Sequence, residues 1–273
     1  MTGRSLPVMP TATPAVWAAH LNGRPATAAD LAPLAFAGYA HFTAMQVRDR
    51  RVRGLDLHLE RLRNACAELF GLPLSVDRVR AFLRAAIEDG PADLSLTATL
   101  WPGARPDEPE VLIRTGPPAA VPEGPLALAA VEHERFLPAV KQTGEAAKIY
   151  HRRRASEAGF DDAAFVDRRG RLSEATIWNL AFWDGSAVVW PVAGRLEGVT
   201  TAILRRRLAA LDVPQHDREV TLADLAGLSG AVVMNSWTPA VPVRRIGEAE
   251  LPGAPEFVAL LHRAYQDEPP VSP

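Results

Sequence analysis

The chain has 273 residues, 48% of them hydrophobic and 23% charged, with a formal net charge of −2. That length suits two medium domains rather than one small core, and the composition excludes a wholly disordered chain. The small net charge gives no reason to expect nucleic acid or an anionic membrane as partner, no apolar run approaches the roughly 20 residues of a bilayer span, and the lone cysteine, Cys66, excludes an internal disulfide and any multi-cysteine zinc site.

Residues 1–14, rich in Pro and Thr, read as an irregular tail without the apolar stretch of a secretory signal, so a cytoplasmic location is expected. WAAHLNGRP (17–25) reads as a short strand that turns at Asn22-Gly23. HFTAMQVRDRRVRGLDL (41–57) follows as a strand pair with Asp49-Arg50-Arg51 at its turn. From Leu57 the apolar residues Leu59, Leu62, Cys66, Leu69 and Phe70 share one helical face that ends near Gly71 and Pro73. A second helix fits Asp77 to Glu88 with Ser75 as its cap. LSLTATLW (94–101) and EVLIRT (110–115) then read as partner strands.

Residues 15–115 therefore read as a small α+β domain. The segment 116–125 carries four prolines and two glycines and reads as an interdomain linker. Residues 126–273 form a larger, β-rich domain: short strands at close spacing predict a partly closed or barrel-like sheet, with helices near 145–158, 200–211 and 256–265.

Of the 30 basic residues only two are lysine, Lys141 and Lys148. A lysine retained where arginine has replaced it almost everywhere points to chemistry that guanidinium cannot do, because only the amine can lose its proton and form an imine. The alternative for either lysine is a solvated helix face.

Several separated segments resemble the class IV aminotransferase, or fold-type IV, family of pyridoxal 5'-phosphate (PLP) enzymes, which includes branched-chain and D-amino acid aminotransferases and 4-amino-4-deoxychorismate lyase. They are HLNGRP, HFTAMQV, HLERLRNACAELFG, Lys141, EAGFDDAAFVDRRGRLSEATIWNLAFW, LEGVTTAILRRRL and MNSWTPAVPV, in that order. The last segment is similar to the lyase branch. The resemblance implies a two-domain α+β fold with a barrel-like C-terminal sheet, PLP as cofactor, a small-molecule amino substrate and a homodimer.

Carried onto this chain, the resemblance makes Lys141 the Schiff-base lysine, because it lies 18 residues before Gly159, close to the family spacing; Lys148, at 11, is given the solvated-face reading. Glu174 would pair with the pyridine nitrogen, supported by Asn179 five residues on. Arg61 would bind the cofactor phosphate, a task suited to its planar fork. Gly198, Val199 and Thr200, just before a helix, would cradle the same group with backbone N–H donors. Ser236 and Trp237 would complete that cup. Phe42, Thr43, Arg105 and Thr238 are expected around the substrate.

The sequence also departs from the family pattern. Gly38-Tyr39-Ala40 stands where members carry Gly-Asp-Gly, and Trp101-Pro102-Gly103 replaces a Ser/Thr-Arg-Gly that binds carboxylate. Ala146 stands where branched-chain enzymes carry a tyrosine, which argues against that specificity. The expected function is a PLP-dependent aminotransferase-like enzyme acting on an amino acid or amino-chorismate type of substrate. Two alternatives stand beside it: aminodeoxychorismate lyase, and a family-like binding protein without catalysis.

Overall fold

The structure is a computed structural model and describes residues 15–36, 38–103 and 105–273; the tail expected at 1–14 lies outside these residues. The N-terminal part contains β1 (Ala18–Leu21), β2 (Arg24–Pro25), α1 (Ala28–Phe36), β3 (His41–Arg48), β4 (Arg51–Arg53), α2 (Leu55–Phe70), α3 (Val76–Glu88), β5 (Leu94–Pro102) and β6 (Pro109–Gly116). The remainder contains β7 (Leu126–Glu132), α4 (Ala146–Glu157), β8 (Asp162–Val166), β9 (Leu172–Ala175), β10 (Asn179–Trp183) and β11 (Val188–Pro191). It continues through α5 (Val199–Ala210), β12 (Gln215–Arg218), β13 (Gly230–Asn235), β14 (Thr238–Ile246), β15 (Ala249–Glu250), α6 (Pro255–Gln266) and β16 (Pro270–Val271).

The first sheet runs β16-β4-β3-β5-β6-β1-β2. On β3 the burial alternates: Met45 and Val47 are buried while Phe42 and Gln46 are only partly covered. The buried face packs on α2 and α3 through Leu55, Leu59, Leu62, Cys66, Val79 and Leu83, the face that the helical spacing predicts. The opposite face is left for the cleft, with α1 covering one end through Leu34 near Trp101 and Leu112. Helix α1 is absent from the sequence reading because Pro33 interrupts it and none of its residues is fully buried. The final strand, β16, returns to pair with β4, although the sequence reading places its residues in the C-terminal domain.

In the second sheet β10, β13, β14, β7, β8 and β9 follow one another, and β9 pairs again with β10, so six strands close into a ring. The barrel-like expectation is borne out. Leu128, Ala164, Leu180, Phe182, Val233 and Val243 share one apolar cluster on the inner face of the ring. The alternating residues Ala181, Val232 and Met234 face α5 and α6 instead, and Ala163 and Phe165 join Ala155 of α4. Strands buried on both faces read as unbroken apolar runs, which is why GAVVMN shows little alternation. Strand β14 is absent from the sequence reading because Pro239 and Pro242 interrupt it; Pro242 lies opposite Val232 in the ladder.

Gly54 locks the two parts together. It sits in the left-handed region at φ 64° before α2, and a Cβ there would lie 2.6 Å from Ile203 of α5. Only glycine permits both the turn and this approach, and it sets Arg61 of α2 beside the start of α5.

Candidate active site

Lys141 lies in the crossing between β7 and α4. Its backbone is pinned to the first sheet: Phe42 N–H donates to the Lys141 carbonyl at 2.8 Å, and Thr143 N–H donates to the Ala40 carbonyl at 2.8 Å. The side chain enters a cavity lined also by Arg61, Lys148, Glu174, Asn179, Gly198, Val199, Thr200 and Ser236. Lys141 Nζ stands 4.7 Å from the centroid of the Phe42 ring. Burial, then the charges of Arg61, Lys148 and Arg135, push the Lys141 ammonium down to about 7, while Glu174 opposes the shift. A substantial share of the amine is therefore neutral at neutral pH.

Glu174 on β9 and Asn179 on β10 are cross-strand partners at the seam of the ring. The Glu174 carboxylate is buried and accepts a hydrogen bond from Arg135 Nη1 at 3.1 Å. Arg135 in turn donates from Nη2 to the Val140 carbonyl at 3.0 Å and to Glu145 at 2.9 Å. Its Nε lies 2.8 Å from Glu145 but is misaligned for a hydrogen bond. Lys148 Nζ closes the chain, 3.0 Å from Glu145. The solvated-face reading of Lys148 is thereby corrected: only 11% of its side chain is exposed, and it lines the same cavity as Lys141. Lys141 itself precedes α4 and follows the first sheet.

Asn179 donates to the Leu196 carbonyl at 2.7 Å, and its Oδ1 lies 1.9 Å from where a Cβ on Gly198 would stand. Glycine is required there by the approach of Asn179, since the backbone itself is ordinary at φ −67°. Gly198 caps α5 without a side-chain acceptor, so the first N–H groups of the helix have no intrahelical carbonyl and point a partial positive charge at the cavity. Arg61 reaches this place from α2 and donates to the Glu197 carbonyl at 2.6 Å. Burial, then Arg135, brings its guanidinium down to about 10, which leaves it charged at neutral pH. Thr201, at the same helix start, has a buried hydroxyl without a hydrogen-bond partner. The spacing of Gly-Val-Thr stops one residue short of it.

The other expected residues are less central. Thr200 commits its hydroxyl to the Asn235 carbonyl at 2.8 Å, which leaves its backbone N–H for a ligand. Trp237 donates its backbone N–H to Asn235 Oδ1, lines an adjoining cavity and meets the Trp178 ring edge to face. Thr43 points to the opposite side of β3, with its hydroxyl 2.6 Å from His58 Nδ1. Thr238 is buried with its hydroxyl on the Ala240 carbonyl. Arg105 pairs with Glu108 at 2.8 Å and lines a separate cleft under α1. Arg135 and Glu145 are invisible in the sequence: Arg135 is one of 28 arginines, and no local pattern marks it.

The family model for amino-transferase class IV matches residues 40–246. The chain belongs to the class IV aminotransferase family. It is accordingly an enzyme, and its fold is fold-type IV. A branched-chain aminotransferase from Thermoproteus uzoniensis, solved with norvaline, shares 20% identity at a TM-score of 0.78, and the match covers 92% of this chain and 94% of that one. A fold IV transaminase from Curtobacterium pusillum shares 20% identity at 0.75 over 85% and 88%. The 4-amino-4-deoxychorismate lyase of Pseudomonas aeruginosa shares 25% at 0.77 over 91% and 98%. No curated protein matches the chain.

Proposed function

We propose that this enzyme uses PLP, held by Lys141, to transform the amino group of a small amino acid or amino-chorismate type of substrate. The observation that carries this reading is one cavity that joins a lysine of lowered proton affinity, a buried carboxylate and an anion cradle. The donor set fits the cofactor. Even without a charge on Lys141, Arg61 and Lys148 in the lining and Arg135 behind Glu174 outnumber Glu174 and Glu145, so the cavity favours an anionic ligand. The free N–H groups at the start of α5, the orphaned Thr201 hydroxyl and Arg61 suit a phosphate. Glu174, steadied by Arg135, suits a protonated ring nitrogen. Asn179 and Gly198 hold the cradle and the carboxylate at a fixed separation.

When bound, the cofactor supplies an aldehyde that takes the substrate amine and a ring that accepts the electron pair released at the neighbouring carbon. Lys141 Nζ, once displaced by that amine, is the base that removes the proton from the amine-bearing carbon and the acid that returns one. Its low affinity for protons, set by burial and three nearby cations, is what suits it to both tasks. Phe42 covers the lysine from the first sheet and limits water.

The first reading is amino-group transfer. The second, lyase chemistry with release of pyruvate, is supported by the likeness to the Pseudomonas aeruginosa lyase, which covers 98% of that chain, and by the run MNSWTPAVPV across β13 and β14. Incubating the holoenzyme with aminodeoxychorismate and, separately, with L- and D-amino acids plus a keto acid decides between them. Amino transfer without pyruvate release supports the first reading, pyruvate release without transfer supports the second, and neither product refutes both.

A further inference from the structure

Beyond the Ser236-Trp237 turn lies a second cavity, lined by Arg48, Arg51, Arg53, Ser236, Trp237 and Tyr265 together with Gln46. Ser236 also lines the Lys141 cavity, so the two adjoin across a single residue. The three guanidinium groups are brought together by the hairpin of β3 and β4. Arg48 and Arg51 are direct cross-strand partners, and Arg53, two residues on, shares the face of Arg51. Like charges placed directly opposite on a sheet cost stability. No carboxylate lines this cavity, and among the described residues none of the three arginines forms an ion pair. Elsewhere in this net-acidic chain arginines find acids: Arg24 with Asp30, Arg78 with Glu108, Arg171 with Asp167, Arg205 with Asp217.

Protein groups satisfy these cations only in part. Arg48 donates to the Val47 carbonyl at 2.7 Å and to Gln46 Oε1 at 3.0 Å. Arg53 rests over the Tyr265 ring at 5.8 Å, and its Nε is buried without a partner. Arg51 is exposed.

We propose that this cavity is a carboxylate subsite of the substrate site. It rests on the reading that the Lys141 cavity takes the substrate amine, and it narrows the substrate class to amines that carry a carboxylate remote from the reacting amino group. Arginine forks match a carboxylate in geometry as well as charge, and Trp237, 40% exposed at the rim, offers a flat apolar surface to the chain or ring between the two ends. A phosphate shares this chemistry and is the competing source of the anion.

Calorimetric titration of the holoenzyme with glutarate, adipate and isophthalate, each against its monoamide, and with inorganic phosphate, tests the subsite. At least one dicarboxylate is expected to bind about tenfold tighter than its monoamide, the effect of one charge-assisted hydrogen-bonded contact. Arg51→Gln and Arg48→Gln should each remove most of that preference while the cofactor absorbance persists, which shows that the variants are folded. The proposal is overturned if wild type shows no preference for any dicarboxylate, or if the preference survives both substitutions. It is also overturned if phosphate binds tighter than every dicarboxylate and does not displace them. Failure of the cofactor reading is seen separately, as wild-type protein that never acquires the absorbance; the same titrations on that unloaded protein still read the subsite.

Discussion

Glu174 and Asn179 face each other in the bridge between β9 and β10 that closes the six-stranded ring. One of the pair carries the buried carboxylate and the other contacts Leu196 and the cap of α5. The acid and the anion cradle are thus built on the seam of the barrel, and their separation is as rigid as the sheet itself.

The carboxylate of Glu174 matters through charge, so Glu174→Gln should keep the fold and lose function. Arg135 retains Glu145 as partner, and the expected loss of stability is about 2 kcal/mol. Turnover should fall by at least about 10²-fold, in the range seen when one electrostatic stabiliser is removed. Thermal unfolding and steady-state rates measured on the same preparation check both halves; a variant with wild-type turnover refutes the role of Glu174.

Gly198→Ala should weaken cofactor binding because the new methyl meets Asn179 Oδ1. In the double variant Asn179→Ala with Gly198→Ala that clash is absent, so the two losses should combine to less than their sum. Cofactor dissociation constants for the four proteins form the cycle, and strict additivity would show that the approach of Asn179 does not explain the glycine.

Burying Lys141 should destabilise the unloaded protein, with a definite pH dependence. The folded-state value near 7 lies below the ordinary 10.5, so the unfolded chain binds the proton more tightly. The resulting destabilisation is complete below pH 7, shrinks as pH rises from 7 to 10.5, and vanishes above. Lys141→Met should therefore gain stability over wild type at about pH 6 to 7, with the gain fading toward about pH 10. Denaturant unfolding across that range measures it, and a pH-independent difference contradicts the shifted lysine.

Arg135→Gln leaves Glu174 buried without its cation, while Glu145 keeps Lys148. A loss of about 3 kcal/mol is expected for one partner removed from a buried ionic cluster. Arg135→Lys should restore part of the stability, since it returns the charge without the fork that serves two carboxylates and a carbonyl. Chemical denaturation reads both; equal stability of the three proteins contradicts the cluster.

What the sequence shows and hides follows from the range of its patterns. Helix α2 is legible because Leu59, Leu62 and Cys66 repeat on one face and Gly71 ends it in the left-handed region. The strands of the ring are legible as apolar runs because helices cover their outer faces. The resemblance to a family leads to Lys141, Glu174, Asn179, Arg61 and Gly198, and these line one cavity. Arg135, Glu145 and the true setting of Lys148 stay hidden because their partners lie on other elements or across an irregular segment, where no period operates. Thr43 and Arg105 illustrate the opposite error: a motif position names the strand or loop, whereas strand alternation and a local acid decide where the side chain goes.

The central claim is that Lys141 holds the cofactor, and reconstitution tests it most directly. Purified protein mixed with PLP should gain an absorbance band near the visible edge, and borohydride treatment followed by peptide mass analysis should place the pyridoxyl group on Lys141. The Lys141→Ala protein should give neither the band nor the labelled peptide. A wild-type protein without the band, or a label found on Lys148 instead, would contradict the account.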